Sequence, residues 1–377
     1  MKLRRVWAVS RKESLHILRD PRSLAMAIAI PMLMLVLFGY ALALDVDNVP
    51  MIVWDQSRSF ASRDYIAQFS GSRYFSVREY VSSYGEVEQA IDTRQALLAL
   101  IIPPDFAGAL ESLRPARIQV IVDGSDSNTA TIAMGYLDAL TLVYSRNILL
   151  SQMRRIAGTA LEQPVDFRPR VWFNEDLQSR NYIIPGLIAV IMMVIAALLT
   201  SLTVAREWEQ GTMEQLIATP VKGHELILGK LLPYFAIGMI DVLLAVLMGE
   251  FLFQVPLRGN VALLFGMAAV FLAGSLSMGI FISIVTRNQL LASQLAMVLT
   301  FLPAFLLSGF MYAIINMPRP LQVITLIIPA RYFVALLKGI YLKGVGLEVL
   351  GLQAALLTVF ALVMMALANI KFKKKLR

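Results

Sequence analysis

Two carboxylates, Asp241 and Glu250, fall inside the apolar stretch Leu226–Phe253. An unpaired carboxylate in mid-membrane is expensive, so Asp241 is expected to face protein or water. Together the two acids could bind and release protons, the chemistry of a proton-coupled secondary exporter. A purely structural Asp241, protonated or hydrogen-bonded to a neighbouring helix, accounts for the residue equally well. Lys230 and Glu250 lie nearer the ends of the segment, within reach of the interfaces.

Other chemistry is missing. The nearest approach to a phosphate loop, "GHELILGKL" at Gly223–Leu231, has its glycines one residue too far apart and puts Leu231 where a magnesium-binding hydroxyl should follow Lys230. ATP hydrolysis by this chain is not expected. With no cysteine and only His16 and His224 for histidines, disulfides, thiolate chemistry and a histidine metal site drop out. No nucleophile elbow or zinc-protease motif occurs, so the chain reads as non-catalytic.

The elements that position these residues follow from composition. Of the 377 residues 58% are hydrophobic and 16% charged, the balance of an integral membrane protein. The net charge of +8 gathers at the two ends, in Met1–Arg22 and Lys371–Arg377, beside apolar runs. That is a positive-inside pattern with both termini cytoplasmic, and not a nucleic-acid surface.

Residues 1–22 are basic, with seven Lys/Arg, and the charge-free run Ser23–Leu44 is long enough for a first span. Asp20 and Pro21 suit its start as cap and first-turn residue. A cleaved signal peptide is the alternative, with Ala41-Leu42-Ala43 as its cleavage form, but the run is longer than a signal core. From 45 to 182 lysine is absent and short β-rich runs alternate with helical stretches. Met51–Trp54, Phe75–Val81, Leu97–Ile102, Ile118–Asp123 and Arg170–Phe173 read as strands of an inserted α/β domain.

Five more spans follow within 183–370: Ile183–Val204, Leu226–Phe253, Val261–Val285, Leu290–Tyr312 and Val345–Ile370. Six spans return the basic tail, 371–377, to the side of the amino end and place the α/β domain outside the cytoplasm. Residues 313–344 carry Arg319, Arg331, Lys338 and Lys343 among apolar residues and read as outer re-entrant helices, with a seventh span as the alternative. Ala269, Ala273, Ser275 and Gly279 would let the fourth span pack closely on a neighbour.

One polar segment remains, "REWEQGTMEQLIATP" at Arg206–Pro220, within a loop at 206–222. Gly211 interrupts the preceding helix, and Thr212 with Gln215 has the form of a capping box that starts another. Thr219 and Pro220 stop it. So short a helix cannot persist alone in water, and it must lie on something. Met213, Leu216 and Ile217 make an apolar ridge suited to a protein groove, while Glu207, Glu209 and Glu214 outnumber Arg206 and disfavour an anionic lipid surface.

"REWEQGTMEQLIATP" with "KGHELILGK" resembles the coupling loop of type-2 ATP-binding-cassette exporter permeases. "RKESLHILRDPRSL", "IPMLMLVLFGYALALD", "LSGFMY" and "IPARYF" also resemble that family, and in particular its bacterial multidrug branch with a large periplasmic domain. The resemblance implies an elbow helix near Val6–Leu18 and a coupling helix seated on ABC ATPase subunits. It also implies a second permease chain, identical or paralogous, and export of drug-like or lipophilic molecules across the bacterial inner membrane. ATP and magnesium would sit on the partner ATPase, with no cofactor in this chain, and a periplasmic adaptor is a further implied partner. The rival readings are the proton-coupled exporter, against which no repeat of the spans is visible, and a membrane sensor that reads ligands through its α/β domain.

Overall fold

The structure, a computed structural model, describes residues 2–42, 46–112, 114–157, 170, 172–174 and 178–372. Two compact units result, one of Met1–Leu44 with Arg170–Arg377 and the other of Asp45–Pro169. Helices α1 (Leu3–Arg19) and α2 (Pro21–Ala41) open the chain. The second unit runs β1 (Val49–Asp55), α3 (Phe60–Ser70), β2 (Phe75–Tyr80), α4 (Tyr84–Asp92), β3 (Leu98–Ile102), α5 (Phe106–Glu111), β4 (Gln119–Val122) and α6 (Ser127–Ala157). The chain then continues through α7 (Ser179–Glu209), α8 (Thr212–Ala218), α9 (Gly223–Leu247), α10 (Val261–Thr286) and α11 (Gln289–Leu307). It ends with α12 (Arg319–Ile324), α13 (Pro329–Lys338) and α14 (Leu347–Lys371).

The second unit is a four-stranded sheet in the order β2-β1-β3-β4, parallel at β2-β1 and β1-β3 and antiparallel at β3-β4. Its central strands are apolar at successive positions because both faces are covered. Met51, Val53, Leu98 and Leu100 meet Tyr65, Phe69 and Leu137 on one face, while Ile52 and Ala99 meet Val87 and Ala90 on the other. Four of the five expected strands form. At the fifth, Val171 lies outside the described residues, while Trp172 and Phe173 are not in a strand. Phe173 has a φ of 73°, which breaks an extended run.

In the first unit α7 is the central helix, buried almost continuously from Ile183 to Ala205. Among the described residues five helices are long and apolar enough to cross a membrane: Ser179–Glu209, Gly223–Leu252, Val261–Thr286, Gln289–Leu307 and Leu347–Lys371. Gly223–Leu252 includes a π-helical turn at Met248–Leu252. The first expected span falls on α2, where the apolar helix among the described residues, Ala27–Ala41, is shorter than those five. Arg319–Ile327 and Pro329–Lys343 meet at 91°, so that region is not one straight helix. The chain is a polytopic, mostly helical membrane protein with a small sheet.

Gly279, one of the expected small residues of α10, sets a helix approach. A Cβ there would run into Thr200 Oγ1 and the Ala197 carbonyl of α7. Thr200 Oγ1 donates to the carbonyls of Ala196 and Leu276, each 2.9 Å away, which ties the two helices at that crossing.

Candidate functional site

The polar foot is built as a break and a restart. α7 closes with Gly211 N-H donating to the Trp208 carbonyl at 3.2 Å, and Gly211 turns left-handed at φ 69°. α8 then runs for seven residues, and Thr219, extended at ψ 159°, ends it ahead of Pro220. The expected capping box does not form, because Thr212 is already the first helical residue and Gly211 occupies the cap position. Thr212 Oγ1 instead donates back to the Glu207 carbonyl at 3.4 Å.

The apolar ridge of α8 is occupied by its own chain. Met213 is 1% exposed, and Leu216 and Ile217 are half-buried in the same hydrophobic core. With Val221, Leu226 and Phe372 they line one small cleft. The groove that the ridge suits therefore lies between α8, the start of α9 and the end of α14. Glu214, Gln215, Ala218 and Pro220 form the exposed side of the foot.

α1 straps this foot from one side. Arg5 Nη1 donates to the Pro220 carbonyl at 2.6 Å and lies 3.6 Å from Glu225 Oε2. Glu225 also accepts the backbone N-H of Lys2 at 2.8 Å and of Lys222 at 3.0 Å. Further along α1, Lys230 Nζ lies 2.8 Å from Glu13 Oε1 and 2.9 Å from Glu207 Oε2, while Lys12 Nζ lies 2.8 Å from Glu207 Oε1. Burial works to lower the pKa of Lys12, but the Glu207 and Glu13 carboxylates outweigh it and raise the pKa above the ordinary lysine value.

Two sequence expectations are corrected by this network. Glu207 is buried and paired inside the chain, so it offers no free edge to a partner, and Lys230 is 1% exposed and does not reach an interface. The reason is a pair of contacts distant in sequence, Glu13 with Lys230 and Glu207 with Lys230. Such charges are retained only when paired, because an isolated buried ion is far costlier than the pair.

The turn between α10 and α11 clamps the other side. Glu209 accepts from both the backbone and the side-chain amide of Gln289, and Arg206 Nε donates to Gln289 Oε1 at 3.2 Å. The Arg287 guanidinium stacks 4.6 Å from the centre of the Trp208 ring. Gln289, Arg5, Lys12, Glu13 and Glu225 are the site residues that sequence reading missed. Their one available signal was polarity at the ends or along one face of otherwise apolar or amphipathic helices.

The phosphate-loop look-alike lies on the first turns of α9, with Gly229 packed against Val6 and Val9 of α1. The intramembrane pair is not assembled. Asp241 is buried with Oδ1 lacking a hydrogen-bond partner, whereas Glu250 is exposed on the π-helical turn. Their separation along the axis is about 13 Å at the helical rise.

The family model for ABC-2 family transporter proteins matches residues 21–370. The probable multidrug ABC transporter permease YbhS of Escherichia coli (strain K12) is 39% identical over 99% of this chain and 98% of its own length. The probable multidrug ABC transporter permease YbhR of the same organism is 30% identical over 90% of each chain. The inner membrane transport permease YhhJ, also from that strain, is 24% identical over 90% of this chain and 88% of its own length.

Proposed function

This chain belongs to the ABC-2 family of transporter proteins, and from that premise we propose that it is the permease subunit of an ATP-driven exporter. The exposed side of α8 is the seat for a separate ATPase subunit. The observation that carries the reading is the division of α8 into a buried apolar side, Met213 with Leu216 and Ile217, and an exposed side bearing Glu214 and Gln215. Its own chain anchors the short helix, so its outer face is free to receive a push. From there movement passes to α1 through Arg5 and the Glu207–Lys230–Glu13 bridge, and to the α10–α11 turn through Glu209 and Gln289.

On this reading the foot and both termini lie in the cytoplasm, residues 45–182 lie in the periplasm, and two permease chains assemble in a bacterial inner membrane. ATP and magnesium bind to the partner ATPase. Cargo is drug-like or lipophilic, in keeping with the multidrug names of the similar Escherichia coli permeases. A periplasmic adaptor completes the expected assembly.

The test is transport in inside-out vesicles that hold this chain and its cognate ATPase. ATP should drive uptake of a lipophilic fluorescent cation, and uptake should survive a protonophore. Uptake that needs a proton gradient and ignores ATP would replace this reading with a proton-coupled one centred on Asp241.

A further inference from the structure

The unit 45–169 contains a cavity of about 430 Å³ between α5, the segment leading into β4, and α6. That volume falls within the range of small-ligand sites, roughly 300–1,000 Å³. Nothing in the transport reading uses it.

Tyr65, Phe106, Leu110, Ile118, Ile148 and Leu149 supply its apolar walls. Leu149 is 49% exposed, so part of that lining meets water. Polar groups around the cavity are largely taken up by the protein. The Tyr65 hydroxyl pairs with Thr141 Oγ1 at 2.7 Å, the Tyr144 hydroxyl donates to the Ala61 carbonyl at 3.3 Å, and the Gln152 amide donates to the Leu110 carbonyl at 2.7 Å. An uncharged ligand rich in hydrogen-bonding groups would find few partners here.

Arg114, at the rim, is different. Its Nε donates to Ser112 Oγ at 3.0 Å, and among the described residues no carboxylate lies within ion-pair distance of it. An apolar cavity with one uncompensated guanidinium selects an apolar body with a negative end, because Arg offers paired donors to a carboxylate or sulfonate. We infer that this cavity binds a small amphipathic anion, an aromatic or short acyl group bearing a carboxylate or sulfonate, with its charge at Arg114.

The absence of cysteine from the chain makes this directly testable. Ser145, exposed on α6 at the cavity, is replaced as Ser145→Cys, and Ser125→Cys, in the turn before α6, serves as the control. Alkylation by a water-soluble maleimide is followed for the full-length chain in lipid nanodiscs, with increasing naphthalenesulfonate. Ser145→Cys should be protected saturably and Ser125→Cys should not, while uncharged naphthalenemethanol should protect about tenfold less well. Adding Arg114→Gln should weaken naphthalenesulfonate by about the same factor and leave naphthalenemethanol unchanged. Absence of protection, equal protection of both thiols, or equal affinity for the charged and uncharged probes would overturn the inference.

Discussion

Lys230 on α9 holds its Nζ 2.9 Å from Glu207 Oε2 at the end of α7, an ionic contact rather than an aligned hydrogen bond. α8 is the foot between those two helices, so the contact closes a loop around it. Glu13 of α1 completes the bridge from the other side of the same ammonium.

Removing that ammonium leaves two buried carboxylates with, among the described residues, only the half-exposed Lys12 in ion-pair distance. Lys230→Met should therefore lower stability by about 3–5 kcal/mol, the usual penalty for orphaning a buried charge. Thermal unfolding of the purified chain in detergent would show it as a lower midpoint. Adding Glu13→Gln and Glu207→Gln should restore most of the loss, since no buried charge is then left without a partner and the half-exposed Lys12 is solvated by water. A single Lys230→Met variant as stable as the parent would show that the bridge contributes nothing.

Gly211 tests the foot through the backbone alone. A Cβ at Gly211 would meet no atom within 4 Å, so only the left-handed φ of 69° penalises replacement. Gly211→Ala should cost about 1–2 kcal/mol and Gly211→Asn less, because asparagine tolerates that conformation. Stimulation of the partner ATPase by transported substrate should fall in the same order. Equal stimulation across the series would detach the turn from coupling.

The same exchange should act differently at two glycines of α10, one at the crossing with α7 and one away from it. Gly279→Ala drives a methyl group into Thr200 and Ala197, whereas Gly266 of the same helix has open space. Overpacking should make Gly279→Ala about 1–3 kcal/mol less stable. Gly266→Ala should be neutral or up to about 1 kcal/mol more stable, by removing glycine from a helix interior. Detergent melting curves of the two variants decide the matter.

Much of this arrangement is legible from local sequence, and the failures share a cause. The restart at Gly211 and the stop at Pro220 are encoded within a few residues, as are the four strands of the sheet. Which way the Met213 ridge faces depends on Phe372, far along the chain, and the burial of Glu207 depends on Lys230 and Glu13. Local periodicity identifies an apolar face and leaves its partner unspecified. The capping box failed by one residue, because a left-handed glycine can itself stand at the cap and move Thr212 inside the helix.

The α/β unit carries a pH signature. Burial, and then the charge of Asp64, push the Tyr144 hydroxyl up to about 12 from an ordinary 10.0. A raised folded value means a contribution to stability that is complete below the unfolded pKa and is lost as pH rises from 10.0 towards about 12. Tyr144→Phe should remove one late-ionising tyrosine from an absorbance titration and flatten the alkaline fall in stability. An unchanged titration curve would contradict the assignment.

The central claim is that an ATPase sits on the exposed side of α8, and the cysteine-free background permits a direct measurement. Glu214→Cys on that side and Glu348→Cys at the first turn of α14, remote from the Phe372 end that packs beneath the foot, are each treated with a short thiol-to-amine cross-linker in the complex copurified with the ATPase. The account predicts a permease–ATPase product from Glu214→Cys and none from Glu348→Cys. Equal products from both, or none from Glu214→Cys while the ATPase still copurifies, would contradict it.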